Sequence, residues 1–198
     1  MRKCLICLFT IALLLNLIAC SPTLAKTTYP DTIKRQIIDN LKEKSADFDS
    51  SKPVNIVKMV KTPKKHYYMV LFTFSPYHTE HLGDAIFKKE KNKYTFIGGL
   101  ASTSQKINDY AMYLDDVPYN LVYGFNEDNR IRTLRLATLD KKSSYTALIK
   151  KGTYFVHFKK LPRNTNIEKM KSFYIIDCYG KDNKLIPWAE CVEWDHIL

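Results

Sequence analysis

The sequence lacks the short motifs by which many catalytic and nucleic-acid-binding proteins are recognised. None of its six glycines completes a G-x-S-x-G nucleophile elbow, and no nucleic-acid-binding motif is present. The chain also has no internal repeat and no low-complexity tract. These absences give no support to a hydrolase of that type or to a repeat protein. They favour a protein that binds rather than catalyses.

A long hydrophobic run is missing too, because the N-terminal one is too short for a stable membrane span. It extends from Leu5 to Ala19, about fifteen residues or roughly 22 Å of helix at 1.5 Å per residue. A span needs about 20 apolar residues. Arg2 and Lys3 precede the run, and polar chain follows it. This arrangement is typical of a secretory signal, so we predict a signal peptide over residues 1–19.

Two cleavage sites compete at the end of this signal. Residues 23–25 (TLA) loosely meet the small-residue rule for ordinary signal cleavage. Residues 17–20 (LIAC) resemble the lipobox of bacterial lipoproteins, and the resemblance implies a diacylglycerol on Cys20 with cleavage before it. Two or more acyl chains give stable membrane anchoring. We therefore expect residues 20–30 to be a tether and the protein to lie on the outer face of the cell membrane.

The chain is strongly basic, with a formal net charge of +11, and lysine greatly outnumbers arginine. Lysine is a compact point charge, whereas arginine is preferred for planar, bidentate recognition. We therefore expect attraction to lipid headgroups, an anionic wall polymer or another envelope protein. Nucleic acid is the other usual partner of a basic chain, but export argues against it.

Two lysine clusters are the candidates for such an anionic-surface contact. They comprise Lys58, Lys61, Lys64 and Lys65 in the first cluster and Lys88, Lys89, Lys91 and Lys93 in the second. Each cluster flanks predicted strands, and hairpin geometry would bring both to one basic edge. The alternative is that these lysines keep sheet edges from pairing with other chains.

Two cysteines besides the lipid acceptor are candidates for a disulfide. Cys178 and Cys191 do not form a C-x-x-C redox pair, and an exported chain can keep them oxidised. Their bridge would close a loop of about fourteen residues, worth roughly 3 kcal/mol in the chain-entropy description. The alternatives are two buried thiols, or a nucleophilic pair of Cys178 with His196.

Residues 78–81 (HTEH) are the best metal-like cluster in the sequence. The imidazoles of His78 and His81 and the carboxylate of Glu80 are ligand types that bind zinc. An exported enzyme with this loop-borne metal site is the alternative function. The segment lies in a predicted loop and lacks a further ligand, so a solvated loop is the simpler interpretation. We predict no cofactor.

Tyrosine is abundant on or beside the predicted strands. The residues concerned are Tyr67, Tyr68, Tyr94, Tyr113, Tyr119, Tyr123, Tyr145 and Tyr154. Exposed aromatic rings could stack on sugars. At period-two spacing, however, such rings are more often core residues or cross-strand pairs, and the core interpretation is the simpler one.

The first half predicts a helix followed by antiparallel strands. Apolar residues recur at helical spacing over residues 32–44, after Asp31 as a cap. Strand-like runs follow at residues 54–60, 66–74, 85–90 and 94–100. A helix laid across one sheet face buries both apolar surfaces. We therefore predict an α+β module over residues 31–104, similar to a cystatin-like roll.

The second half predicts an all-β, sandwich-like module. Residues 105–118 are interpreted as a linker or short helix, because Ile107, Tyr110 and Leu114 have helical spacing. Short strand-like runs follow at residues 121–125, 131–138, 145–150, 154–159 and 173–178, separated by turn signals. This pattern indicates a β-sandwich over residues 119–198.

Three segments of the second half resemble the C-terminal portions of small, uncharacterised lipoproteins of low-GC Gram-positive bacteria. They begin at Val122 (VYGFNEDNRIRTLRL), Ile149 (IKKGTYFVHFKK) and Ile175 (IIDCYGKDNKLI). The resemblance implies a surface lipoprotein of unknown function and supplies no catalytic residue. The sequence thus predicts a lipid-anchored, extracytoplasmic, non-enzymatic binding or interaction module of the bacterial cell envelope.

Overall fold

The computed structural model describes residues 29–44, 48–76, 80–103, 105–138, 143–170 and 173–192. The predicted signal peptide, Cys20 and most of the tether lie outside these ranges, as does His78. Within them, no helix is both long enough and apolar enough to cross a membrane.

Two helices and eleven strands make up the described chain. Helix α1 (Asp31–Lys44) comes first and the short helix α2 (Trp188–Val192) comes last. The strands are β1 (Asn55–Lys61), β2 (Tyr67–Phe74), β3 (His81–Glu90), β4 (Lys93–Thr103), β5 (Ile107–Leu114), β6 (Val117–Phe125), β7 (Thr133–Thr138), β8 (Ser144–Leu148), β9 (Tyr154–Lys160), β10 (Phe173–Tyr179) and β11 (Leu185–Ile186). A 3-10 turn at Glu127–Asn129 connects β6 to β7.

Helix α1 forms because its apolar residues recur every three or four positions on one face. Ile33, Ile37 and Leu41 are completely or almost completely buried, and the charged residues face outward. The helix begins at Asp31 itself, one residue earlier than predicted. The Asp31 carboxylate therefore lies in the first turn, where the helix dipole favours negative charge.

The strands form three antiparallel sheets. The first sheet has the order β1-β2-β3-β4, the second has the order β5-β6-β9, and the third has the order β11-β10-β7-β8. Consecutive strands pair throughout the first sheet, as in a meander. The chain then passes between the second and third sheets, since β7 and β8 belong to the third sheet and β9 returns to the second.

Three apolar clusters lie between four layers. Helix α1 and one face of the first sheet share the first cluster, which includes Ile37 and Phe72. The other face of the first sheet meets the second sheet in the second cluster, around Leu71 and Leu121. The second and third sheets enclose the third cluster, which includes Val122. The second sheet is therefore covered on both faces.

The predicted β-rich architecture is confirmed at this level. The chain is mostly antiparallel sheet, and its sheets stack in a sandwich-like manner. The hairpin predicted from residues 85–90 and 94–100 is β3 with β4. The assignment of the first part to a cystatin-like roll stays a prediction.

The short helix or linker predicted over residues 105–118 is wrong. This segment contains strand β5, which pairs residue by residue with β6. Asp115 and Asp116 form the turn, and both have positive φ, as a two-residue hairpin of type I′ requires. The helical spacing misleads because β5 is covered on both faces, with Ile107 in the third cluster and Leu114 in the second. Such a strand shows no strict alternation.

Candidate functional site

Strand register brings most of the predicted lysines to one end of the first sheet. Lys61, the last residue of β1, is opposite Tyr68 near the start of β2. Lys88, near the end of β3, is opposite Tyr67. The β1–β2 and β3–β4 turns therefore lie at the same end of the sheet. We call this region the lysine end, and it carries Lys61, Lys64, Lys65, Lys88, Lys89, Lys91 and Lys93.

Three of the eight predicted lysines are already engaged. Lys58 lies in the middle of β1, its Nζ donates to a backbone carbonyl of β9, and burial lowers the pKa of its ammonium. The Nζ of Lys64 lies 3.2 Å from Oδ2 of Asp115, and the Nζ of Lys88 lies 2.8 Å from Oε1 of Glu90. These three ammonium groups have partners within the protein and are less available to an external anion.

The other five lysines have no carboxylate partner among the residues that the structure describes. They are Lys61, Lys65, Lys89, Lys91 and Lys93, all of them exposed or half-buried. Lys44, at the end of α1, has its Nζ 5.5 Å from the ring centroid of Phe96 in β4. The lysine end therefore concentrates positive charge that no carboxylate of the described residues neutralises.

The predicted metal site cannot be assembled, because His78 is outside the described ranges. Glu80 is exposed. His81 is half-buried, with its ring centroid 5.6 Å from that of Phe74, and burial lowers the pKa of its imidazole. In the part of the chain that the structure describes, no three His, Cys, Asp or Glu side chains are grouped as metal ligands. The zinc hypothesis stays a prediction.

Cys178 and Cys191 form the predicted disulfide, with a sulfur–sulfur distance of 1.99 Å. The bridge joins β10 to helix α2, and both cysteines are buried in the third cluster. Because each sulfur is bonded to the other and shielded from solvent, Cys178 is not available as a nucleophile in this state. The disulfide is therefore a structural bond between the third sheet and the C-terminal helix.

Sequence reasoning missed a completely buried carboxyl group between the first and second sheets. Asp84 of β3 accepts hydrogen bonds from the hydroxyls of Tyr110 (2.5 Å) and Tyr123 (3.0 Å). Burial raises the pKa of Asp84 to about 6, against the two hydrogen bonds, which lower it. The only signal in the sequence is a lone charge inside the apolar run LGDAIF.

A second missed carboxyl group, Asp109 of β5, faces the third sheet. It hydrogen-bonds Asn120, whose Oδ1 accepts the hydroxyl of Tyr145. The Tyr145 ring stacks on the His157 ring, with the two centroids 6.2 Å apart, and the Nζ of Lys159 lies 5.7 Å from the centroid of the Tyr145 ring. Burial raises the pKa of Asp109 to about 7, and its buried Oδ2 has no hydrogen-bond partner within the described ranges. The neutral acid is therefore a substantial species near pH 7.

The tyrosines divide into core and surface residues. Tyr67, Tyr119 and Tyr123 are buried, in agreement with the core interpretation. Tyr68 and Tyr94 are only half-buried, and both lie at the lysine end. The sequence could not separate these two groups, because burial depends on how far α1 and the second sheet extend over the first sheet.

No protein-family model matches the chain, and neither a curated protein nor a solved structure matches it significantly. The resemblance to small lipoproteins stays a prediction. The case for a function therefore rests on the geometry and charge of the chain's own residues, above all on the lysine end.

Proposed function

We propose that the protein is a lipid-anchored, extracytoplasmic binding protein that holds an anionic polymer of the cell envelope at its lysine end. The observation that carries this proposal is the strand register, which gathers five lysines without carboxylate partners among the described residues. Anchoring through Cys20 is proposed on the sequence alone.

The position of the tether favours a polymer over the headgroups of the membrane that holds the anchor. Tyr29, the first described residue, lines one pocket with residues 54–56, at the start of β1. Lys61 lies at the other end of this strand, roughly 20 Å away at about 3.3 Å per residue. Tyr29, nine residues after Cys20, thus lies at the end of the sheet opposite the lysine end.

Several weak contacts acting together would give useful affinity. An exposed ion pair contributes about 0.2–1 kcal/mol by itself, but one polyanion can engage several lysines at once. The attraction is screened over a Debye length of about 8 Å at physiological ionic strength. We therefore expect polymer binding to be multivalent and sensitive to salt.

Protection of sheet edges could account for Lys61 on β1 and Lys93 on β4, but it does not account for all of these lysines. Lys89 is on β3, an interior strand of the first sheet. The edge strand β4 is already covered, since the Gln36 amide donates to the carbonyl of Tyr94 and accepts from the N–H of Phe96, each at 2.9 Å. Lysines that served only to prevent edge pairing would be confined to the edge strands. The lysines described here lie across one end of the sheet instead.

We further propose that α1 and the first sheet form a helix-on-sheet roll of the cystatin type. Apolar residues of α1 share a cluster with Val70 and Phe72 of β2, which supports this description. Such a scaffold holds the lysines at fixed spacing. The analogy concerns the fold alone and carries no function.

The test is retention of the purified full-length protein, in detergent, on an immobilised anionic polymer. We expect the triple variant Lys61→Gln, Lys89→Gln, Lys93→Gln to bind about tenfold more weakly, because three contacts of about 0.5 kcal/mol each are lost. Lys34, beside the start of β1, and Lys181 and Lys184, in the turn between β10 and β11, are exposed away from the lysine end, and changing these three to Gln removes the same charge.

This control triple variant should stay within about twofold of the wild type if the position of the charge matters. Equal losses in the two triple variants would mean that net charge alone drives retention. Absence of wild-type retention at low salt would contradict the proposed function.

A further inference from the structure

Two tyrosines at the lysine end differ from those in the cores. The hydroxyls of Tyr110, Tyr123 and Tyr145 each donate to a buried side chain. For the hydroxyls of Tyr68 and Tyr94, the described part of the chain offers no hydrogen-bond partner. Both rings are half-buried. Each therefore has an apolar body held by the sheet and a polar tip that is free to contact a ligand.

Strand register places these two rings on the same face as two of the lysines. Tyr68 is opposite Lys61, and Tyr94 is opposite Lys89; cross-strand partners point to the same side of a sheet. The two rings meet edge to face with centroids 5.5 Å apart. The Nζ of Lys89 lies 5.1 Å from the ring centroid of Tyr94. We call these four side chains the tyrosine–lysine patch.

Aromatic residues on this face change type towards the lysine end. Phe72 and Phe87 are completely buried in the cluster that α1 covers, and Phe96 is half-buried against it, as Tyr94 is. The positions at the lysine end, Tyr68 and Tyr94, carry a hydroxyl instead. The change puts two hydroxyl groups beside the ammonium groups. A surface that only attracted charge would not need these hydroxyls.

We infer that the tyrosine–lysine patch is a subsite for an anionic glycan, a polymer whose sugar rings carry phosphate or carboxylate groups. A tyrosine ring offers an apolar surface to the C–H face of a sugar, and its hydroxyl bonds the sugar hydroxyls. The ammonium groups of Lys61 and Lys89 bind the acidic groups through charge-assisted hydrogen bonds. This inference rests on the proposed function and names the class of polymer. A polyphosphate has no sugar rings, so it would bind the lysines without stacking on the tyrosines.

The experiment compares two soluble polymers with the full-length protein. Polygalacturonate has sugar rings and carboxylates, whereas inorganic polyphosphate has charge without sugar. We expect the double variant Tyr68→Leu, Tyr94→Leu to bind polygalacturonate about tenfold more weakly and polyphosphate within about twofold of the wild type. Tyr113→Leu removes an exposed tyrosine elsewhere and should change neither affinity.

The outcomes separate this inference from the proposed function. If the double variant binds both polymers as the wild type does, or loses equal affinity for both, the glycan inference is overturned and the proposed function stands. If the wild type binds neither polymer, both are overturned. Should the leucine variant not fold, Tyr68→Phe with Tyr94→Phe keeps the rings. A loss of about threefold for polygalacturonate alone then supports the inference, and no loss overturns it.

Discussion

At the scale of single residues, Asp84 and Asp109 place two titratable carboxyl groups in the packing between the sheets. Asp84 lies between the first and second sheets, and Asp109 faces the third sheet. Burial raises the pKa of Asp84 to about 6 and that of Asp109 to about 7, because the carboxylate form loses its hydration. Folding therefore shifts both groups towards the neutral form relative to the unfolded chain.

Gly99 makes room for Asp84 on the neighbouring strand. Its φ of +103° is in a region that side chains rarely adopt. A Cβ at this position would lie 2.8 Å from the carbonyl oxygen of Asp84 and 2.9 Å from its Oδ2. Glycine is thus required at this point of β4 by the buried acid as well as by the backbone.

We expect Asp84 and Asp109 to lower the free energy of unfolding as the pH rises from about 4 to 7, while His81 and His157, whose pKa values burial lowers, act in the opposite direction over part of this range. A carboxyl group whose pKa is higher in the folded than in the unfolded chain contributes stability below its unfolded pKa, near 4, and this stability is lost as pH rises through the folded pKa. The loss of stability therefore extends to about pH 6 for Asp84 and to about pH 7 for Asp109. The loss has an upper bound of about 3 kcal/mol for Asp84 and about 4 kcal/mol for Asp109. Urea titrations at four pH values measure it.

Single asparagine variants assign this pH dependence. Asp84→Asn should remove its share of the slope between about pH 4 and 6, and Asp109→Asn its share between about pH 4 and 7. Asp115 is a matched control, because the hydroxyl of Tyr67 and the ammonium of Lys64 hold its pKa below the usual range and outside this window. A variant that keeps the full wild-type slope would contradict the assignment to the carboxyl group that it lacks.

At the scale of secondary-structure elements, helix α1 closes one edge of the first sheet with a side chain. The Gln36 amide pairs with the backbone of β4 in place of a fifth strand. An uncovered edge of this kind is a template for pairing with another chain. The helix therefore contributes solubility as well as apolar burial.

The variant Gln36→Leu tests this contact. It leaves a carbonyl and an N–H of β4 without their partner, so we expect a loss of about 1–2 kcal/mol in unfolding free energy and faster aggregation. Urea denaturation and light scattering measure the two effects. Arg35→Leu, at the neighbouring exposed position of α1, is the control. Equal stability and equal scattering of the two variants would rule out edge protection by Gln36.

Elements whose signal is local could be predicted, and elements defined by their partners could not. Helix α1 is predicted to within one residue, because its apolar stripe and first-turn acid are both in the sequence. Strand β5 is missed, because its two buried faces remove the alternation, and its turn, Asp115 with Asp116, lacks the Asn-Gly or Asp-Gly signal. Only the pairing with β6 defines it.

At the scale of the whole molecule, the sequence identified the lysines but could not show which of them have a carboxylate partner in the fold. Lys64 is neutralised by Asp115, about fifty residues later in the chain, which only the meeting of the first and second sheets brings near. The pairing of Lys61 with Tyr68 and of Lys89 with Tyr94 is likewise set by hairpin register. The sequence shows where the lysines are. It does not show which of them remain without a carboxylate partner after folding, because the partners come from distant parts of the chain.

The anchoring hypothesis has its own test in cells. Replacing Cys20 with serine removes the acyl acceptor, so we expect the protein to leave the membrane fraction or to remain an unprocessed precursor. Membrane fractionation and labelling with a radioactive fatty acid report the result. Cys7→Ser, in the same apolar run, should change neither. Unaltered anchoring of the Cys20 variant would favour a membrane span.

The central position of the second sheet has a consequence for amide hydrogen exchange. Strand β6 pairs with β5 and β9, and its residues alternate between two clusters, Leu121 on one side and Val122 on the other. The N–H groups of β6 can meet solvent only when the whole stack opens, whereas strands at sheet edges exchange by local fraying. Exchange in β6 therefore measures the global free energy of the molecule. A polymer bound at the lysine end would therefore slow exchange in β6 by raising this global free energy.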